Sequence, residues 1–358
     1  MSNEEIVDIS SKKLEKKWEC PNSDWRCAYR RYQSSIGENK IIHEEASKVL
    51  KKLLPTDMGL IRIYSSITLA QKKPVVFDLR VLGQSVATLK VDNQKLFLKI
   101  SQEHSLHNKR YFEIKTPEGI YEWNSDESKN IFDSLRRIAP KATQVHSPEH
   151  TLETLILSEM SKTGNKKILR YIRPVTIGGK GFFQMRTPFS ASNHNIKDYP
   201  KYSMHSNGAA WGGGIDILAR IVHRDGSNRL AVIELKDENK KKEPQPLVMH
   251  QALVYATFVA HLLRDEKCGN FWWNIFRGQK DEKYLDKNNK LKIDVVTMMP
   301  PIPSNEEGKQ LYTEGDLKPI DVPGVNVTLY PSTIYIEADL DKFKIKDVFG
   351  TLIDDKKK

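Results

Sequence analysis

The stretch from Gly212 to Lys240, GGGIDILARIVHRDGSNRLAVIELKDENK, constrains the fold of this chain more tightly than any other. Two apolar runs flank Asp225-Gly226, the dipeptide that a tight hairpin reversal favours. Asp216 interrupts the first run, and Glu234 and Lys236 interrupt the second. An unpaired charge buried in a strand is strongly disfavoured, so these three groups must be compensated by one another or by a ligand. Residues two apart on a strand share a face, which puts Glu234 and Lys236 together and sends Ile233 and Leu235 to the other side. Asp216 and Glu234 each lie nine positions from Asp225. A turn centred on Asp225 therefore sets the two acids opposite each other in an antiparallel ladder. A slip by an odd number of residues would separate them, unless a bulge intervened.

Two carboxylates a few ångströms apart raise each other's pKa, and a divalent cation removes that conflict. Mg²⁺ is commonly held by one or two carboxylates, with waters and phosphate oxygens completing its shell. A neighbouring lysine can orient an attacking water and offset charge in the transition state. This composition suits phosphodiester hydrolysis. The bland alternative is a salt bridge of Lys236 with Glu234 or Asp216 on a solvated face. The triple alone does not decide, because the chain holds a second one. RYFEIK reads as a strand carrying Glu113-X-Lys115, with Asp78 and Asp92 upstream.

Residues 1–140 read as a mixed α/β module. ENKIIHEEASKVLKKLLP has a helical stripe of Ile42, Ala46, Val49, Leu50 and Leu53, stopped by Pro55. Strand-like runs follow in PVVFDLRVL, SVATLKV, KLFLKIS, RYFEIK and GIYEWN, and Ser125 caps a short helix ending near Pro140. No period of 20–50 residues repeats, so a solenoid is not expected. Residues 141–358 have a different rhythm. A helix starts at Ser147-Pro148, and strands follow in KILRYIRPVTI and GFFQMRTPFS. A long polar loop then leads into the hairpin. The helix PLVMHQALVYATFVAHLLRD comes next, followed by the strands KIDVVTMMP and VTLYPSTIYIEAD. Such alternation describes an α/β domain.

The run GGIDILARI…DG…RLAVIELKDE resembles the nuclease core of the PD-(D/E)XK superfamily, over roughly residues 146–303. Ile215 stands where the superfamily's motif has proline. The helix after the second strand carries Gln251 and Tyr255, matching the Gln-X-X-X-Tyr signature of one nuclease branch. Upstream, Glu153 precedes Ile156, Leu157 and Met160 in the pattern expected of the helix acid. Glu149 fits that pattern less well, and its place in the first turn has a helix-dipole explanation. The resemblance implies a restriction-endonuclease-like core, a mixed central sheet flanked by helices, preceded by a mixed α/β N-terminal domain that serves recognition or partner binding.

It also implies an endonuclease that cleaves DNA to 5′-phosphate and 3′-hydroxyl ends, as a restriction or repair enzyme. Asp216 and Glu234 would bind Mg²⁺ or Mn²⁺, with the Leu235 carbonyl as a third ligand. Lys236 would act on the attacking water, Glu153 would assist the metal, and Gln251 would orient the site. Lys180, Tyr202, His205, Trp211 and Tyr255 are candidate substrate contacts, since cations and aromatic rings suit phosphate binding and base stacking. Two rival readings remain at this level: a nucleic-acid-binding or structural subunit that keeps the fold without the chemistry, and a nuclease acting on RNA.

Composition agrees with a polyanionic partner. Lys and Arg outnumber Asp and Glu by 57 to 46, for a net charge of +11. Three cysteines form no even framework, which fits a reducing cytoplasm, and Cys20 with Cys27 lacks the second pair that a zinc site needs. No run is expected to approach the roughly 18 apolar residues a membrane helix needs, and the polar start MSNEEIVDIS does not read as a secretory signal. No membrane partner is expected, and a homodimer is allowed.

Overall fold

The computed structural model describes residues 1–16, 25–55, 57–66, 75–92, 94–141, 148–161, 171–177, 181–191, 201–202, 213–237, 245–277, 288–301, 317–339, 342–350 and 352. The first half contains helices α1 (Asn3–Glu15) and α2 (Trp25–Leu53) and strands β1 (Ile61–Ser66), β2 (Val75–Val81), β3 (Gln84–Asp92) and β4 (Lys95–Ile100). Helix α3 (Gln102–Phe112), strand β5 (Gly119–Glu122) and helix α4 (Asp126–Ile138) complete it. The second half opens with α5 (Pro148–Ser161). Short strands β6 (Ile172–Pro174), β7 (Thr176–Ile177), β8 (Gly181–Arg186), β9 (Phe189–Ser190), β10 (Lys201–Tyr202) and β11 (Gly214–Ile215) follow. The hairpin is β12 (Ile217–Val222) and β13 (Asn228–Leu235). Then come α6 (Gln245–Leu263), α7 (Gly269–Arg277), β14 (Leu291–Met299), β15 (Ile320–Asp321), β16 (Val327–Asp339) and β17 (Lys342–Gly350).

The strands form two mixed sheets flanked by helices. The first runs β11-β8-β1-β2-β3-β4-β5, with β7 also on β8. The second runs β15-β16-β14-β13-β12-β6, with β17 also on β16. In the second sheet β13, β14 and β16 are parallel neighbours, while β12 and β6 are antiparallel. A parallel return needs a crossover, and α6 and α7 lie in the one between β13 and β14. Beside these, β9 and β10 pair only with each other.

Helix α5 is a layer shared by both sheets. Its apolar stripe of Leu152, Ile156, Leu157 and Met160 packs with Tyr64 of the first sheet and with Ile217, Ile233 and Val296 of the second. Each such side chain, fully buried, contributes about 1.5–3 kcal/mol. The far face of the first sheet is covered by the end of α2 and by α3 and α4. The far face of the second carries α6, α7, α1 and the start of α2. The chain thus ties its halves together across the 140/141 boundary. Strand β1 pairs in parallel with β8, and α1 packs Ile6, Val7 and Leu14 into the α6 core.

Helix α6 passes a length and apolarity test for a membrane span, but 89% of that window is buried inside the protein. It is apolar on every side because the second sheet covers one face and α1 another. Its His261 meets Ser11 of α1 at 3.0 Å. The element α1 lies in the stretch whose polar, acidic composition hid the stripe Ile6, Val7 and Leu14. A capping box between Ser2 and Glu5 starts it.

Several expected elements are found where the periodicity puts them, including the Ser125-capped helix and the strands β2, β3, β4 and β5. RYFEIK is a correction. Arg110–Phe112 ends α3, and Glu113 is its C-cap in the left-handed region, with φ 56°. Glu113 and Lys115 therefore do not share a strand face, and the second acid-X-lysine triple disappears. The aromatic run mimicked a strand, yet the Ser101–His104 capping box upstream nucleates a helix instead.

The turn between β2 and β3 makes a contact that matters for the site. Leu82 and Gly83 both have positive φ, and a Cβ on Gly83 would stand 2.0 Å from the Cβ of His150 on α5. Glycine here permits both the turn and the approach of the helix. Gly83→Ala is expected to destabilise the protein by about 1–3 kcal/mol, measured as a lower denaturant midpoint with an unchanged slope. An unaltered midpoint would show that α5 does not rest on this turn.

Candidate active site

The β12–β13 register is the one a turn centred on Asp225 dictates. Ile217 pairs with Ile233 and Val222 with Asn228, so Asp216 and Glu234 are the next positions of the same register. Gly226 takes φ 79°, and the Asp225 carboxylate accepts from the Ser227 N–H at 2.7 Å, which closes the turn. Asp216 itself is not part of the ladder. It is a one-residue bend between β11, which belongs to the first sheet, and β12, which belongs to the second. Freed from strand pairing, its carboxylate turns across and accepts the Leu235 N–H at 2.8 Å.

Glu234 and Lys236 lie side by side as strand period two requires. Lys236 Nζ donates to Glu234 Oε1 at 2.9 Å and stands 3.7 Å from Glu149 Oε2. Glu234 is 1% exposed and Lys236 4%, so this pair is buried. The Lys236 N–H donates to the Met298 carbonyl, which continues the β13–β14 pairing past Leu235 and holds the lysine in place. Helix α5 brings Glu149, His150 and Glu153. His150 Nδ1 lies 3.4 Å from Glu153 Oε2, and Glu153 is 4% exposed. From α6, the Gln251 amide donates to the Tyr255 hydroxyl at 3.4 Å. Both of these are buried, so Tyr255 is a wall of the site rather than an exposed contact.

The electrostatics follow from crowding acids into a dry space. Burial pushes the Asp216 carboxyl up to about 7, with Glu149 and Glu153 adding to it, against Lys236 and the Leu235 N–H. Burial, and next to it Asp216, hold Glu234 well above the carboxylate range despite Lys236. For Lys236, burial acts to lower the pKa, but Glu234, Asp216 and Glu149 together outweigh it and the ammonium is retained. His150 is raised, first through its contact with Glu153. Tyr64 of β1 is raised by burial and then by Glu153, which places the first sheet at the edge of the cluster.

Among the described residues, nothing hydrogen-bonds to two buried carboxylate oxygens, Glu234 Oε2 and Glu153 Oε1, or to the buried Gln251 carbonyl oxygen. Buried acceptors left in this state are costly and call for an explanation. Oxygen acceptors of this kind fit a hard divalent cation. Among the described residues, no set of three or more His, Cys, Asp or Glu side chains is gathered to hold a metal. A carboxylate pair with waters is the sparser arrangement that Mg²⁺ accepts.

The expected site residues Asp216, Glu234, Lys236, Glu153 and Gln251 thus come together, with Leu235 at their centre through its N–H. Lys180, His205 and Trp211 lie outside the described residues. Tyr202 ends β10, opposite Phe189. Sequence reasoning weighed Glu149 only as an alternative to Glu153, whereas both face the cluster, one helical turn apart. It missed His150 and Tyr64. His150 could have been found from its place between the two helix acids, but nothing in the sequence connects Tyr64 to the hairpin. Compared with protein-family models, curated proteins and solved structures, the chain matches none.

The raised Asp216 has a testable consequence. A carboxyl whose folded pKa lies above its unfolded value of about 3.9 contributes most below that value and loses the contribution as pH rises towards 7. In EDTA, Asp216→Asn should therefore melt higher than wild type at pH 8 and lose that advantage at pH 5. Each kcal/mol corresponds to roughly 1–2 °C in a protein of this size. An advantage that grows on acidification would show that the carboxyl is not raised.

Proposed function

We propose that this protein is a metal-dependent deoxyribonuclease with a restriction-endonuclease-like core, hydrolysing DNA to 5′-phosphate and 3′-hydroxyl ends. The observation that carries this reading is the convergence of Asp216, Glu234 and Lys236 with Glu153 and Gln251 from the two flanking helices. A surface salt bridge would need only two of these groups and would sit in water. Here Glu153 and Glu234 are buried, burial raises the pKa values of Asp216 and Glu234, and acceptor oxygens are left over. Within the second sheet, α5 precedes β6, β12 and β13, and α6 with α7 crosses over to β14, an order that supports the same core.

Asp216 and Glu234 would hold Mg²⁺ or Mn²⁺, with the Leu235 carbonyl as a third ligand. When bound, such an ion neutralises paired carboxylates and lowers the pKa of coordinated water. Lys236, kept charged by its acidic neighbours, sets positive charge beside the position where the phosphate becomes more negative. Its Nζ also has hydrogens to orient an attacking water. Glu153 adds a further acceptor beside the pair, and the Gln251 amide fixes the wall formed by Tyr255. The net charge of +11 favours approach of a polyanion.

The test is incubation of the protein with single-stranded, duplex and branched DNA in Mg²⁺, Mn²⁺ or EDTA, beside Glu234→Ala and Lys236→Ala. Cleavage is expected with either metal and not with EDTA, and each substitution should reduce it by about 10²-fold or more. Equal cleavage by wild type and both variants would sink the assignment. RNA offered in parallel decides between the two nucleic acids.

A further inference from the structure

The first sheet sets two arginines face to face beside this site. In the β1–β2 register Arg62 lies directly opposite Arg80, and like charges so placed destabilise a sheet unless something compensates them. Arg62 is committed to structure. It donates to the Gly59 and Ile61 carbonyls at 2.8 and 2.6 Å and to the Ser158 hydroxyl on α5. Arg80 is held differently. Its Nε donates to Asp78, and its guanidinium lies 4.3 Å over the Tyr64 ring. Among the described residues, none accepts a hydrogen bond from its two terminal NH₂ groups. The side chain is 20% exposed. Its charge is felt in the cluster, where it lowers the pKa of Tyr64 and opposes the rise of His150.

A phosphodiester approaching Glu149, Glu153, Asp216 and Glu234 meets four acids. Lys236 is buried and already engaged by Glu234 and Glu149. Arg80 is a cation at the edge of this cluster with planar donors to spare, and its orientation is set in advance by its bond to Asp78 and by the Tyr64 ring beneath it. A guanidinium so fixed matches the non-bridging oxygens of a phosphate in a two-pronged way that an ammonium does not.

We propose that Arg80 binds a backbone phosphate of the nucleic-acid substrate, so that the site is composite and residues 1–140 supply one of its substrate contacts. This rests on the nuclease reading above. Arg80 is then a binding residue rather than one that acts on the reacting atoms.

The experiment is fluorescence-anisotropy binding of a labelled DNA duplex with Ca²⁺ in place of Mg²⁺, repeated across a range of KCl, together with steady-state cleavage in Mg²⁺. Arg80→Ala should weaken binding about tenfold and reduce the slope of log affinity against log salt by about 0.9, the value of one phosphate contact. Cleavage should suffer in KM with little change in kcat. Arg80→Lys should keep the salt slope but not the full affinity. Lys129→Ala, an equal loss of charge on the exposed face of α4, should leave both unchanged. Melting curves show whether each variant folds, and if Arg80→Ala does not, the KM of Arg80→Lys decides. Wild-type affinity and slope in the Arg80 variants, or a loss no larger than that of Lys129→Ala, would overturn the inference. A wild-type protein that neither binds nor cleaves DNA would sink the nuclease reading itself, a different outcome.

Discussion

The hydrogen bond from the Leu235 N–H to the Asp216 carboxylate holds the junction on which the rest of the arrangement depends. Asp216 is the residue at which one strand leaves the first sheet and enters the second. A backbone that switches sheets loses its ladder partners at the bend, and buried peptide groups must be satisfied in some other way. The aspartate supplies that satisfaction with its own side chain. A matching switch occurs at Val175, between β6 and β7, where the Val175 N–H bonds to the Leu218 carbonyl. The two crossings join the sheets at a corner, and the acidic cluster sits there.

Helix α5 makes the corner chemically useful. Packed between the two sheets, it has one apolar stripe for both and turns Glu149, His150 and Glu153 towards Asp216, Glu234 and Lys236. Close packing on both sides removes water, and dry surroundings raise the cost of each unneutralised carboxylate. One lysine and one histidine do not balance four acids. An assembly selected for stability alone has no reason to retain that imbalance, whereas one that must bind a cation and a phosphate does. The glycine at position 83 belongs to the same requirement, since it lets α5 lie close against the β2–β3 turn.

A good part of this was legible in the sequence. Strand period two put Glu234 and Lys236 on one face, and the equal spacing of Asp216 and Glu234 about Asp225 anticipated the register. Helical spacing found the stripe of α5 and the polar Gln251 within an apolar helix. Other elements were misread for local reasons. The aromatic residues of RYFEIK suggested a strand, but the capping box at Ser101 and His104 made a helix. The acidic start of the chain concealed α1, whose buried apolar residues Ile6, Val7 and Leu14 acquire meaning only against α6.

By itself, then, the sequence determined what depends on neighbours along the chain: the hairpin and its register, the pairing of Glu234 with Lys236, and the helices that flank them. Only the tertiary structure decided that both Glu149 and Glu153 face the cluster, that Asp216 stands where two sheets part, and that Tyr64 and Arg80 come up to its edge. The physical reason is the range of the forces involved. Turn geometry and side-chain periodicity act over a few residues and leave a trace in the spacing. The parallel pairing of β1 with β8, and the packing of α5 between sheets, join residues about a hundred positions apart. Contacts at that separation are settled by which surfaces exclude water together, and no local pattern records them.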